Sequence, residues 1–200
     1  LVERGVKRGD RVAISTRNYP EWVVTYWATV SLGAACVGMN AWWTPVEMDY
    51  ALGDSEPKVL IVDDERLERY HQVPTKRNTH VISVRSDREL PAGGVRWTDV
   101  MAKADPGSLP PADIDPDDDA TIFYTSGTTG FPKGAQLHHR GSVINVMNIA
   151  SMTAAASAGI AKAVAAGALA SAPPAPPALP PVFMAPTPLF HVTACNCILH

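Results

Sequence analysis

The chain has 200 residues, 46% of them hydrophobic, which is enough apolar material for a globular core and not the composition of a disordered segment. Seventeen Lys and Arg stand against 20 Asp and Glu, a formal net charge of −3, so no basic excess exists to neutralise a nucleic-acid backbone or an anionic membrane. Cys36, Cys195 and Cys197 are too few and too unevenly placed for a disulfide framework, and no charged segment followed by an apolar one opens the chain, which points to the reducing cytoplasm.

Residues 11–15 (RVAIS) predict a short strand, and Pro20 followed by Trp22, Val23, Tyr26, Trp27 and Val30 places apolar side chains at helical spacing. Residues 36–39 form a second short apolar run. Thr44, Pro45 and Glu47 then supply an N-cap, a first-turn proline and an acid at the third helical position, so a helix is expected from Pro45 to near Gly53. Residues 58–62 (KVLIV) predict a buried strand and 79–84 another. This alternation of strands and helices argues for an α/β fold with a largely parallel sheet flanked by helices.

From Pro91 to Asp119 the periodicity fades into turn formers and acids, and the segment is expected to be a surface linker. Its acids lack the glycine and final glutamate of a calcium loop. Residues 120–124 predict a strand, 135–137 another, and a helix is expected from about His139. Beyond Arg140 the only Lys, Arg, Asp or Glu is Lys162, and residues 171–181 (SAPPAPPALPP) hold six prolines, the composition of an extended connector. The Ala-rich stretch before it is too weakly hydrophobic, and too interrupted by Lys162, Ser and Asn, to be expected as an integral membrane segment. Residues 182–185 form a last strand candidate. Both ends of the chain read as cuts in something longer.

Chemistry concentrates in residues 124–134 (YTSGTTGFPKG), which pack three glycines, four Ser and Thr hydroxyls and Lys133 into one loop. Glycines let backbone N–H groups turn toward an anion, hydroxyls add donors, and a lysine supplies a compact positive charge, so the loop suits a polyphosphate. Pro132 occupies the place of the second glycine in the G-x-x-x-x-G-K-[ST] pattern, and G-x-G-x-x-G is absent, which argues against a GTPase or a dinucleotide dehydrogenase. Adjacent His138 and His139 point in different directions and lack an i, i+4 partner, so polar residues at a helix start are expected there and no metal site. The cysteines read as buried thiols. Trp42 and Trp43 read as packing residues, with a substrate-facing surface as the alternative.

The loop at 124–134 resembles the signature phosphate loop of the class I adenylate-forming superfamily, the AMP-binding enzymes that include acyl-CoA synthetases, firefly luciferase and nonribosomal peptide adenylation domains. Further segments are similar to that family: 9–14 (GDRVAI) with Asn18 and Trp22, 33–40, 40–44 (NAWWT) with Glu47, 57–60 (PKVL), and 188–193 (PLFHVT) with Ala194 where the pattern most often has glycine. The double tryptophan and P-L-F-H-V-T look most like bacterial fatty-acyl or related CoA ligases.

The resemblance implies a partial N-terminal lobe over 1–200, divided into a first α/β part (1–112), the strand and phosphate loop (113–140), a helix and Pro-rich connector (141–181) and the start of the acyl-pocket segment (182–200). It implies that a carboxylate attacks the α-phosphorus of ATP to give an acyl-adenylate and pyrophosphate, and that a thiol, usually coenzyme A, then displaces AMP. A carrier-protein thiol or another acceptor stays open, as does a truncated, non-catalytic nucleotide binder. Thr125, Ser126, Gly127, Thr128, Thr129, Gly130, Lys133 and Gly134 would hold the phosphates, with Lys133 and His191 in catalytic roles and His191, Val192 and Thr193 at the carboxylate substrate. Mg²⁺ would arrive with the triphosphate, its protein ligand lying beyond His200. The family's later elements, including a C-terminal lysine, are not found in these residues, so the chain alone is expected to be inactive. The oligomeric state is left open.

Overall fold

A computed structural model describes residues 1–105, 107, 109–125, 130–171 and 186–198. Among these residues seven strands form one sheet in the order β5-β4-β3-β1-β2-β6-β7. They are β1 (Arg11–Ser15), β2 (Ala35–Gly38), β3 (Val59–Val62), β4 (His80–Ser83), β5 (Val95–Arg96), β6 (Asp119–Thr125) and β7 (Lys133–His138). All neighbouring pairs are parallel except β6 and β7, an antiparallel hairpin in which Thr125 faces Lys133. The central strands are apolar and buried on both faces, as parallel strands covered by helices must be.

Successive side chains of a strand point to opposite faces, so each strand feeds two cores. Val12, Ile14, Cys36, Ile61 and Phe123 pack with Trp22 and Tyr26 of α1 (Pro20–Val30) on one side. Ala13, Val37, Leu60, Val62 and Ile122 pack with Met48, Ala51 and Leu52 of α2 (Pro45–Ser55) and with Leu67 of α3 (Asp64–His71) on the other. The chain steps from β1 to β2 in one direction and from β2 back across β1 to β3 in the other. The order therefore reverses at β1, where an open α/β sheet leaves a crevice at its carboxyl edge.

The helix expected at Pro45 forms with a complete capping box. Glu47 N–H donates to Thr44 Oγ1 at 3.3 Å, and Thr44 N–H donates back to Glu47 Oε2 at 2.8 Å. Thr44→Ala is therefore expected to cost about 1 kcal/mol in urea unfolding with an unchanged slope. A midpoint equal to wild type would show that packing alone holds the helix.

Two expectations need correction. The segment 91–119 is not linker throughout: it contains β5 and α4 (Trp97–Ala102), because Val95, Trp97 and Val100 pack against the core and extend the sheet edge despite the surrounding turn formers. The helix α3 was not expected either, although Asp63 caps it through a hydrogen bond from Arg66 N–H at 3.1 Å, with acids in its first turn and Arg69 and His71 in its last. The strand expected at 182–185 and the connector from residue 172 lie outside the described residues.

After β7, α5 (His139–Ala165) runs for 27 residues. By length and composition alone it is apolar enough to cross a membrane, and none of its most apolar stretch is buried. Its exposed apolar side chains include Val143, Ile144, Met147 and Met152. The last described element is α6 (Val192–Ile198).

Candidate functional site

Because β1, β2, β3 and β6 run parallel, Ser15, Gly38, Val62 and Thr125 bring their following loops to one edge of the sheet. The loop after β2 is held by arginines of α3. Arg66 Nε donates to Ala41 O at 2.6 Å, and Arg69 Nη1 donates to Ala41 O at 2.8 Å and Trp43 O at 3.1 Å. Arg66 is 1% exposed and paired with the buried Asp63 at 3.2 Å, whose carboxylate also accepts Arg17 N–H and Arg66 N–H. Arg66 Nη2 is buried without a hydrogen-bond partner among the described residues.

The two tryptophans separate. Trp43 is buried with its edge against Tyr124, ring centres 5.3 Å apart, as a packing residue should be. Trp42 is 59% exposed and meets Phe190 edge-on at 5.4 Å, so it is a surface residue of the site and not core. Together with Asn40, Tyr124, Thr125, Gly130 and Pro132 the pair lines a cleft of about 300 Å³.

Of the eight residues expected to hold phosphates, Ser126, Gly127, Thr128 and Thr129 lie outside the described residues. The other four sit together around the neck of the β6–β7 hairpin. Thr125 and Lys133 are opposed across the ladder, Thr125 Oγ1 donates to Lys133 O at 3.4 Å, and the Lys133 side chain is exposed. Gly130 has φ +103°, a conformation that L side chains rarely adopt. Gly134 also has a packing reason to be glycine, since a Cβ there would stand 2.9 Å from Ile122.

Two contacts tie this neck to α2. Tyr124 Oη donates to Asp54 at 2.6 Å, and Phe131 stacks on Tyr50 with ring centres 4.8 Å apart. Burial and then the Asp54 carboxylate push the Tyr124 phenol above its ordinary range, so it stays a donor.

The segment from Pro186 closes the same edge from above β2. The Asn18 side chain clamps its backbone, donating to Thr187 O at 3.0 Å and accepting Leu189 N–H at 2.8 Å. Leu189 is buried. His191 is exposed, and its Nδ1 accepts Thr193 N–H at 3.3 Å at the start of α6, so in this structure it acts as a helix cap. Val192 packs against the core while Thr193 is exposed. A second cleft of about 410 Å³ opens beside this segment, lined by Arg17, Asn18, Trp42, Arg66 and Phe190 among others.

Close approach fixes this arrangement at Gly38, where a Cβ would stand 3.0 Å from the Phe123 ring and 3.1 Å from Phe190 O. Gly38→Ala is expected to cost about 1–3 kcal/mol in urea unfolding and to shift the imidazole resonances of His191. An unchanged midpoint with unchanged resonances would show that the contact is slack.

No group of three or more His, Cys, Asp or Glu able to hold a metal stands together among the described residues. His138 ends β7, 3.5 Å from Asp119, and His139 opens α5, where burial lowers its pKa against the pull of Asp118. Cys36 and Cys195 are free and buried. Burial, then the neighbouring Cys195, raises the Cys36 thiol, and burial pushes Cys195 up to about 12, so neither is poised as a nucleophile. The side chain of Cys197 lies outside the description.

Residues 1–200 match the family described as AMP-binding enzyme. The chain belongs to that family. AMP-binding enzymes activate carboxylates as adenylates. Among curated relatives, the 4-coumarate–CoA ligase 2 of Oryza sativa subsp. japonica is 33% identical over 152 residues, 71% of this chain and 27% of that protein. Among solved structures, an anthranilate CoA ligase in complex with anthranoyl-AMP superposes with a TM-score of 0.65 at 29% identity, covering 73% of this chain and 28% of that one. ATP-bound MatB from Rhodopseudomonas palustris gives a TM-score of 0.62 at 34% identity over 76% of this chain and 29% of its own. The chain thus spans about a quarter of the length of the relatives it matches.

Arg66, Arg69, Tyr50 and Asp54 are site residues that sequence reasoning missed. The arginines had a signal, since an Asp cap followed by acids and then bases predicts the helix that carries them. The α2 residues had none, because their partners lie 70 or more positions away.

Proposed function

We propose that the full-length protein containing this chain is an ATP-dependent carboxylate–CoA ligase acting on a fatty or related acyl acid. The observation that carries the reading is the glycine-rich hairpin at the carboxyl edge of the sheet, with Thr125 and Lys133 opposed at its neck beside an open cleft.

A carboxylate oxygen forms a bond to the α-phosphorus while the bond to the bridging oxygen breaks and pyrophosphate leaves with the electron pair. Thr125, Ser126, Gly127, Thr128, Thr129, Gly130 and Gly134 supply donors and close backbone approach to the β- and γ-phosphates. Lys133 neutralises the charge that grows on the leaving pyrophosphate. The thiol of coenzyme A then attacks the acyl carbon, and AMP departs. Mg²⁺ would arrive with the triphosphate and would add charge neutralisation there; no cluster among the described residues fits it, and no step is assigned to it. In this proposal His191, the cap of α6, is assigned to the substrate carboxylate, and Val192 and Thr193 are assigned to the acyl group.

The four segments named from the sequence, 1–112, 113–140, 141–181 and 182–200, form part of one N-terminal lobe in this proposal, and the reaction is cytoplasmic. Residues 1–200 tested alone are expected to give no turnover.

Carboxylate-dependent ATP–pyrophosphate exchange by the full-length protein, screened with fatty acids and arylcarboxylates side by side, tests the reading. Exchange with at least one acid is the expected result. Release of ADP without dependence on any carboxylate would overturn it.

A further inference from the structure

The helix α2 presents two side chains one turn apart to the glycine-rich hairpin. Tyr50 and Asp54 are related by i, i+4, which places them on one face of the helix. Asp54 accepts the Tyr124 hydroxyl at 2.6 Å on the strand entering the loop, and Tyr50 stacks on Phe131, two residues before the strand leaving it, with ring centres 4.8 Å apart. The opposite face of α2 is buried through Met48, Ala51, Leu52 and Ser55, and its first turn is locked by the Thr44–Glu47 box. The helix is thus anchored independently of both contacts, and Asp54 and Phe131 are exposed, so neither contact is needed to bury the core.

We propose that Tyr50 and Asp54 are positioning residues that hold the two ends of the phosphate loop at a fixed separation, so that Thr125 and Lys133 meet the nucleotide together. This rests on the adenylation reading above. A loop rich in glycine loses much backbone freedom when it orders around an anion, and a rigid platform gripping both ends removes part of that cost before the nucleotide arrives. The expected signature is weaker ATP binding at little cost in stability. A stacked aromatic pair contributes ~0.5–1.5 kcal/mol, which corresponds to a change in affinity of about two- to tenfold.

The test compares Tyr50→Ala, Tyr50→Phe, Asp54→Ala and Tyr124→Phe with wild type in the full-length protein. Tyr50→Ala should raise KM for ATP about two- to tenfold with KM for the carboxylate unchanged, and Tyr50→Phe, which keeps the stack, should restore it. Asp54→Ala and Tyr124→Phe should each raise KM for ATP, and the double variant should do no more than either single one. Hydrogen exchange of the peptide spanning 124–134 should speed up in Tyr50→Ala and not in Tyr50→Phe. A purely structural role would lower kcat in step with the thermal midpoint and move no individual KM. The proposal is overturned if loop exchange and KM for ATP both stay at wild-type values. A wild type without carboxylate-dependent exchange would sink the adenylation reading instead, and the hydrogen-exchange comparison would still decide whether α2 holds the loop.

Discussion

Lys133→Ala in the full-length protein is expected to lower carboxylate-dependent ATP–pyrophosphate exchange by about 10²- to 10³-fold, the loss typical of removing one donor aimed at charge that develops in the transition state. Lys133 opens β7, its backbone pairs with Thr125, and its side chain is exposed and makes no ion pair among the described residues. Truncating it therefore removes no packing, and the unfolding free energy should stay within about 0.5 kcal/mol of wild type. The effect belongs to kcat/KM. Lys133→Arg keeps the charge but exchanges a compact ammonium for a planar fork, so it should recover part of the rate. Exchange within threefold of wild type in Lys133→Ala would place the phosphate-neutralising charge elsewhere.

The second large effect is on stability. Arg66→Ala removes the donor to Ala41 O and the partner of a buried carboxylate, and breaking a buried pair from one side typically costs about 3–5 kcal/mol. Asp63 keeps two backbone donors, from Arg17 and Arg66, which argues for the lower end of that range. For a chain of this size the same loss lowers the thermal midpoint by roughly 6–12 °C. Replacing Asp63 and Arg66 together by apolar residues should recover much of it, because no unpaired charge is then left inside. The loop at 40–43 should loosen as well, with faster amide exchange at Trp42 and Trp43. A drop below about 1 kcal/mol in urea unfolding would show that Arg69 alone holds the loop.

How far these features were legible in the sequence depends on the range of the interactions that make them. Strands β1 and β3, the cap at Thr44 and the helix from Pro45 rest on spacing and neighbours a few residues apart, and they lie where local pattern places them. The short β5 and α4 were hidden among prolines, glycines and acids, since two strand residues and one helical turn and a half carry almost no periodicity. They exist because Val95, Trp97 and Val100 find a core built by distant strands. The glycine loop was recognisable from eleven consecutive residues, yet what grips it was not, because Tyr50, Asp54, Tyr124 and Phe131 come together only through the fold. Asn18 shows the same limit. Its residue type marks a turn after β1, whereas its clamp on Leu189 spans 171 positions. Trp42 and Trp43 were indistinguishable as a pair, and the turn at 41–42 in the arginine-held loop sends one inward and the other to the surface.

The central claim is that a carboxylate oxygen, not water, attacks the α-phosphorus of ATP held at this hairpin. Incubating the full-length protein with ATP, coenzyme A and a carboxylate carrying heavy oxygen in both positions tests it directly by mass spectrometry. The account predicts AMP bearing one heavy oxygen, in equal amount with acyl-CoA that keeps the other. Unlabelled AMP, or label appearing in inorganic phosphate alongside ADP, would contradict it.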